Sequence, residues 1–109
     1  MRALTEEIAK FVRERDWEQF HDPKNLAMAV ASEAGELAAE LRWVPSEQSD
    51  AYCAEPEARA RIEAELADVA ITLVMLAERT GIDLEDAMRK KLARNREKYP
   101  AQKWRGRYR

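Results

Sequence analysis

Glu-Leu-Ala-Asp-Val-Ala-Ile-Thr-Leu-Val-Met-Leu-Ala, residues 65 to 77, is apolar on nearly every side of a helix, yet it opens with two carboxylates one turn apart. A helix that is apolar all round is normally buried on every side. A small helical unit has limited means of covering one helix completely, so some of Ile71, Val74 and Met75 is expected to meet another copy of the chain. The expectation is a homo-oligomer, dimer or tetramer; the alternative is a well-wrapped central helix in a monomer.

Working outward, this helix is expected to run from about Pro56 to Thr80 and to end at Gly81, the residue that most easily takes the left-handed turn after a helix. Asp83 is placed to cap a fourth helix that continues to Lys98 and is stopped by Pro100. Upstream, Asp22 caps and Pro23 suits the first turn of a second helix, which runs to about Arg42. A first helix is predicted from Thr5, as N-cap, to about Gln19, with Ile8, Phe11, Val12 and Trp17 at near-helical spacing. Trp43 to Glu55 loses its period and collects Pro45, Ser46, Ser49 and Asp50, which reads as a loop. The chain is therefore expected to be all-α, a four-helix bundle-like unit over residues 1–100 with a basic tail at 101–109.

The composition agrees with one helical domain: 46% hydrophobic and 37% charged residues in a chain of 109, with only three Gly and four Pro, exclude a disordered or collagen-like protein. The longest apolar run, Val69 to Ala77 interrupted by Thr72, is far short of the roughly 20 residues of a membrane span. Met1 to Lys10 carries no signal-peptide pattern, so a cytoplasmic protein without a membrane partner is expected. A single cysteine, Cys53, permits no internal disulfide. The charge is uneven: residues 1–88 hold 20 acidic and 9 basic side chains, whereas residues 89–109 hold 1 acidic and 10 basic. Arg89 to Lys98 is either a solvated helix or a face for something anionic, such as a phosphate chain.

A second acidic pair lies on the preceding helix. Leu26, Val30, Leu37 and Leu41 form one stripe at about 100° per residue; Glu33 falls near its middle and Glu36 at its flank. An ionised carboxylate in a core stripe is costly unless a cation or hydrogen-bond donors compensate it. Glu33 with Glu36, and Glu65 with Asp68, are each spaced i and i+3 on one helix face, and two such pairs on facing helices can surround one or two cations. All-oxygen ligation suits Mg2+, Mn2+ or Ca2+, while the lone His21 cannot build a zinc or copper site. A ferritin-like di-iron bundle is disfavoured, because it uses Glu-x-x-His pairs and the fourth position here is acidic in both. Surface glutamates on an Ala-rich helix remain the alternative, strongest for Glu36. Glu40, in the same stripe, is either a fifth ligand or the partner of an arginine.

Glu-x-x-Glu followed by Glu-x-x-Asp on the next helix resembles the all-alpha nucleoside triphosphate pyrophosphohydrolase superfamily, the MazG-like and dimeric dUTPase group. Arg-Asp-Trp-Glu-Gln-Phe-His-Asp-Pro-Lys-Asn-Leu (15–26), Glu-Ala-Gly-Glu-Leu (33–37), Trp43, Glu-Leu-Ala-Asp-Val (65–69), and Lys91 with Asn95, Lys98, Tyr99 and Pro100 look like its dCTP pyrophosphatase branch. The resemblance covers most of residues 5–100 and implies a MazG-type fold. It also implies hydrolysis of a deoxynucleoside triphosphate, dCTP or a related pyrimidine, to the monophosphate and pyrophosphate. By similarity, Glu33, Glu36, Glu65 and Asp68 bind Mg2+, for which Mn2+ can substitute. Lys91 and Asn95 reach the phosphates or sugar with Lys98 and Arg94 as helpers, and Trp17, His21 and Trp43 line the base and sugar pocket. Glu33 or Glu36 is the candidate general base. Two positions depart from the branch: Ile8 stands where relatives carry His, and Thr72 where they carry Tyr, which puts base preference in question.

Other classes stay open at this level. A same-fold enzyme with wider base choice and a nucleotide-binding or scaffold protein without catalysis both fit the residues. Nucleic-acid binding through Lys103, Trp104, Arg105, Arg107, Tyr108 and Arg109 is the least favoured, since a short basic tail also lies readily on an acidic neighbouring subunit.

Overall fold

The computed structural model describes residues 1–107; Tyr108 and Arg109, part of the basic tail, lie outside the described residues. Six helices follow in order: α1 (Arg2–Glu14), α2 (Pro23–Leu41), α3 (Ser49–Ala54), α4 (Pro56–Thr80), α5 (Leu84–Lys98) and α6 (Ala101–Trp104). The all-α expectation is met, and the bounds of α4 and α5 match those read from Gly81, Asp83 and Pro100. Gly81 sits at φ 72°, and the Ile82 amide donates back to the Ala77 carbonyl at 2.9 Å, closing α4. The Asp22 and Asp83 carboxylates accept from the amides of Asn25 and Asp86, at 2.8 and 3.0 Å.

Three expectations need correction. Thr5 caps nothing: α1 already starts at Arg2, and the Thr5 amide donates to the Met1 carbonyl at 2.8 Å. The first helix also stops at Glu14 rather than Gln19, because Asp16 takes a left-handed conformation (φ 54°) and the chain then makes a 3-10 turn over Glu18–Phe20. Residues 43–55 are not a plain loop, since they hold a 3-10 turn, Ser46–Gln48, that leads into α3. At the end of α1 the local signal misled because helix-compatible residues continue past the true break.

The centre of the molecule is the pairing of α2 with α4, against which α1 and α3 lean. Ala58, 1% exposed, lets the backbone of α4 approach its neighbours closely, while Ile8 and Val12 of α1, Leu26 of α2, and Val74 and Ala77 of α4 complete the buried set. Of the three residues from which a contact with another copy is expected, Val74 is buried within the chain itself and Ile71 is left open. Ile71 and Leu73 remain 37% and 38% exposed, and Leu66 54%. The protomer therefore leaves much of its most apolar helix uncovered.

The helix α5 explains part of that exposure. Among the described residues it makes no extensive packing with another helix, and its stripe of Met88 (63% exposed), Leu92 (50%) and Tyr99 (43%) faces outward. The radius of gyration is 17.1 Å, against about 13 Å for a compact chain of this length. The accessible surface is 9013 Å², where a compact monomer of this mass exposes roughly 6,200 Å².

Candidate functional site

The two acidic pairs meet where α2 faces α4. Glu33, Glu36 and Glu65 each offer a carboxylate oxygen, and these oxygens lie within 4.8 Å of one another. Asp68 is outside that tight group, one turn along α4 from Glu65, but its charge reaches both Glu33 and Glu65. Glu36 and Asp68 are exposed in the protomer, whereas Glu33 and Glu65 are half-buried. For both of the latter one oxygen, Oε2, is shut off from solvent and meets no hydrogen-bond donor among the described residues.

That arrangement has an electrostatic consequence. Loss of solvation pushes the Glu33 carboxyl above its ordinary value, and repulsion from Glu36, Asp68 and Glu65 adds to the rise. Glu65 is raised in the same way, by desolvation first and then by Glu36, Asp68 and Glu40. A divalent cation held by Glu33, Glu36 and Glu65 would compensate both faults, because it would satisfy the oxygens left without a donor and screen the charges that repel. The donor set is all oxygen, which fits a hard ion such as Mg2+ or Mn2+.

Glu40 resolves as an arginine partner: Arg61 Nε donates to its Oε2 at 3.1 Å, and Arg61 Nη2 donates to the Tyr52 hydroxyl at 3.3 Å. These contacts hold the Arg61 guanidinium more firmly protonated than usual, the Tyr52 bond being the larger cause. Sequence reading had no means of naming Arg61, since its partners lie 21 and 9 residues away.

The aromatic candidates divide. Trp17 packs edge-on against Phe11, with ring centroids 5.6 Å apart, and lies 6.4 Å from the His21 ring. His21 lines a cavity of about 230 Å³ with Ile8, Val12, Leu26, Met75 and Arg79. Arg79 ties α4 to the 3-10 turn beside it by donating to the Glu18 carbonyl at 3.0 Å. Trp43, by contrast, stands 84% exposed beyond the end of α2, with the Arg42 guanidinium 5.4 Å over its ring. Of the two departures from the branch pattern, Ile8 is buried against this cavity. The Thr72 hydroxyl is turned back onto the carbonyls of Asp68 and Val69, at 3.0 and 2.9 Å.

Lys91, Asn95 and Lys98 share one face of α5, the lysines exposed and Asn95 half-buried. The protomer itself does not bring them to the acidic helices, because α5 packs along neither. Between Asp68 and the end of α4 at Thr80, the helix advances about 18 Å.

A family model described as MazG-like matches residues 32–107, a span that holds both acidic pairs and the basic face of α5. The chain belongs to the MazG-like family. Among curated proteins it is 45% identical over 98 residues to dCTP pyrophosphatase 1 of Bos taurus, covering 90% of this chain and 58% of that protein. It is 45% identical over 93 residues to dCTP pyrophosphatase 1 of Homo sapiens, covering 85% and 55%. This MazG-like chain thus spans a little over half the length of those relatives. A pyrophosphatase from Archaeoglobus fulgidus has a similar structure, with a TM-score of 0.84 at 32% identity and coverage of 92% of each chain. The all-α architecture is therefore a MazG-like pyrophosphatase fold. Among the described residues no helix is long and apolar enough to cross a membrane.

Proposed function

We propose that this MazG-like chain hydrolyses a nucleoside triphosphate, dCTP or a related pyrimidine nucleotide, to the monophosphate and pyrophosphate. The observation that carries the reading is the meeting of the Glu33, Glu36 and Glu65 carboxylates from two helices, with one oxygen of Glu33 and one of Glu65 buried without a donor among the described residues. The names of the relatives support the reaction and the base. Glu33, Glu36, Glu65 and Asp68 would hold Mg2+, or Mn2+ in its place. Such an ion, when bound, neutralises phosphate charge and lowers the pKa of water.

The remaining steps fall to the chain's own side chains. Glu33 or Glu36 accepts the proton of the water that attacks the α-phosphorus, and no covalent enzyme intermediate is required. Lys91, Asn95 and Lys98 bind the phosphates and the departing pyrophosphate. Trp17 and His21, with Trp43, flank the base and sugar; an indole face is worth about 1–3 kcal/mol when a base stacks on it. Residues 1–100 form the catalytic unit and 101–109 a basic appendage.

The unit works as a dimer or tetramer in this reading. Roughly 2,800 Å² of surface beyond that of a compact monomer, about 5,600 Å² for two copies together, is enough for an obligate interface. The stripe Met88, Leu92, Tyr99 carries Asn95 on the same face and Lys91 and Lys98 at its edges. Burying the stripe against a second copy would bring these three to that copy's acidic helices. Each site would then combine carboxylates of one copy with basic groups of another.

Products from the eight common ribo- and deoxyribonucleoside triphosphates, resolved with and without Mg2+, test the proposal. Monophosphate plus pyrophosphate from a pyrimidine deoxynucleotide, only with the ion, is expected. Glu36→Ala and Asp68→Ala should lose at least about a hundredfold in turnover, a magnitude typical of removing a group that stabilises a transition state, while retaining the helical spectrum. Robust turnover by either variant, or release of orthophosphate in place of pyrophosphate, overturns it.

A further inference from the structure

Glu40 follows Glu36 by one turn of α2, and Arg61 precedes Glu65 by one turn of α4. Because the chain directions are opposed, the Arg61–Glu40 pair forms the next rung beside the Glu36–Glu65 rung. Neighbouring rungs are separated by only about 5–6 Å between Cβ atoms. Glu40 is therefore a carboxylate within reach of the acidic cluster, and its charge is felt at Glu65. Its side chain is 23% exposed and its Oε2 is held by Arg61 at 3.1 Å. The Tyr52 hydroxyl of α3 accepts from Nη2 of the same guanidinium at 3.3 Å.

We propose that Arg61 is a positioning residue that withholds Glu40 from the cluster, through the Glu40–Arg61–Tyr52 clasp, and so keeps the cation site at four carboxylates. This rests on the cation-site reading above and adds a control on its charge and ligand number. A fifth free carboxylate would strengthen cation binding indiscriminately and favour larger ions, which take six to eight oxygens where Mg2+ takes six. The clasp thereby keeps the site suited to a small octahedral ion that must also accept substrate oxygens.

The test is Mn2+ binding to the full chain, followed by loss of the free-ion electron paramagnetic resonance signal in the absence of nucleotide. Arg61→Met should tighten Mn2+ binding about threefold to tenfold, the effect of one additional nearby negative charge in a well-solvated setting. Ca2+, competed against Mn2+, should gain more than Mn2+ does. Arg61→Lys, which retains the charge, should bind as the unsubstituted chain does, and Glu40→Gln/Arg61→Met should return to within about twofold of it.

Weaker or unchanged binding in a folded Arg61→Met protein overturns the inference. So does a tenfold or greater loss in the double variant, which would make Glu40 itself a ligand. Should Arg61→Met not fold, Glu40→Gln and Glu36→Gln decide the matter: the inference requires a loss below about threefold for the first and above about tenfold for the second, and equal losses refute it. Absence of Mn2+ binding by the unsubstituted chain refutes the cation site itself, and the clasp's role with it.

Discussion

Leu92→Asp on α5 is the sharpest probe of how the site is completed. Leu92 keeps 50% of its surface exposed in the protomer, and Met88, one turn before it, 63%. Fully burying a leucine side chain stabilises by about 1.5–3 kcal/mol, so the half left open can contribute about 1 kcal/mol when a second copy covers it. A symmetric interface counts the position twice, which makes about 2 kcal/mol per dimer and roughly a thirtyfold change in dissociation constant. The aspartate also brings a charge that must stay solvated, so thirtyfold is a floor. Sedimentation across a dilution series should show the unsubstituted chain as a dimer or tetramer at micromolar concentration and Leu92→Asp shifted toward monomer. Activity should fall in parallel, because Lys91 and Asn95 leave the partner's carboxylates. A second readout isolates that sharing. When Glu65→Ala and Lys91→Ala proteins, each inactive, are mixed and allowed to exchange, about a quarter of full activity should return, since half the dimers are mixed and one of their two sites is intact. A monomeric unsubstituted chain, or assembly untouched by Leu92→Asp at every concentration, refutes the reasoning. No recovery from fully exchanged mixtures refutes the sharing of the site.

The other expectations concern pH and a helix end. In the cation-free protein Glu33 and Glu65 hold their protons more tightly folded than unfolded, so the stability they contribute is complete below their ordinary value of 4.5 and is lost as pH rises through the raised folded value. Thermal melts in chelator and in millimolar Mg2+ should consequently diverge as pH increases above that range, the increment from Mg2+ being small in acid; an increment independent of pH would contradict the assignment. Gly81→Ala should cost about 1–2 kcal/mol by denaturant titration, because φ is 72° there although the space around it is open. A cost within measurement error would show that the left-handed C-terminus of α4 is not needed.

The family resemblance depended on residues that chain order alone presents together. Glu33 with Glu36 and Glu65 with Asp68 are local pairs at helical spacing, and Asp22, Gly81 and Asp83 act on their own backbone neighbours. Such signals are readable because cause and effect are separated by four residues or fewer. The end of α1 was not readable in that way. Trp17 continues the apolar period, but Asp16 turns left-handed before it and ends the helix, and Val74 is covered by packing that no local pattern reveals.

What the sequence determined by itself was the helical class, the principal helix boundaries from Pro23 onward, and an acidic pair on each of two successive long helices. Only the tertiary structure decided that Glu33 and Glu65 each turn an oxygen away from water without a donor among the described residues, that Glu40 belongs to Arg61 and Tyr52, and that α5 leaves Met88, Leu92 and Tyr99 exposed. The physical reason is one of range. Spacing fixes which side chains share a helix face, but desolvation and ion pairing depend on which face of another helix comes opposite, and that is set by the packing of α2 on α4.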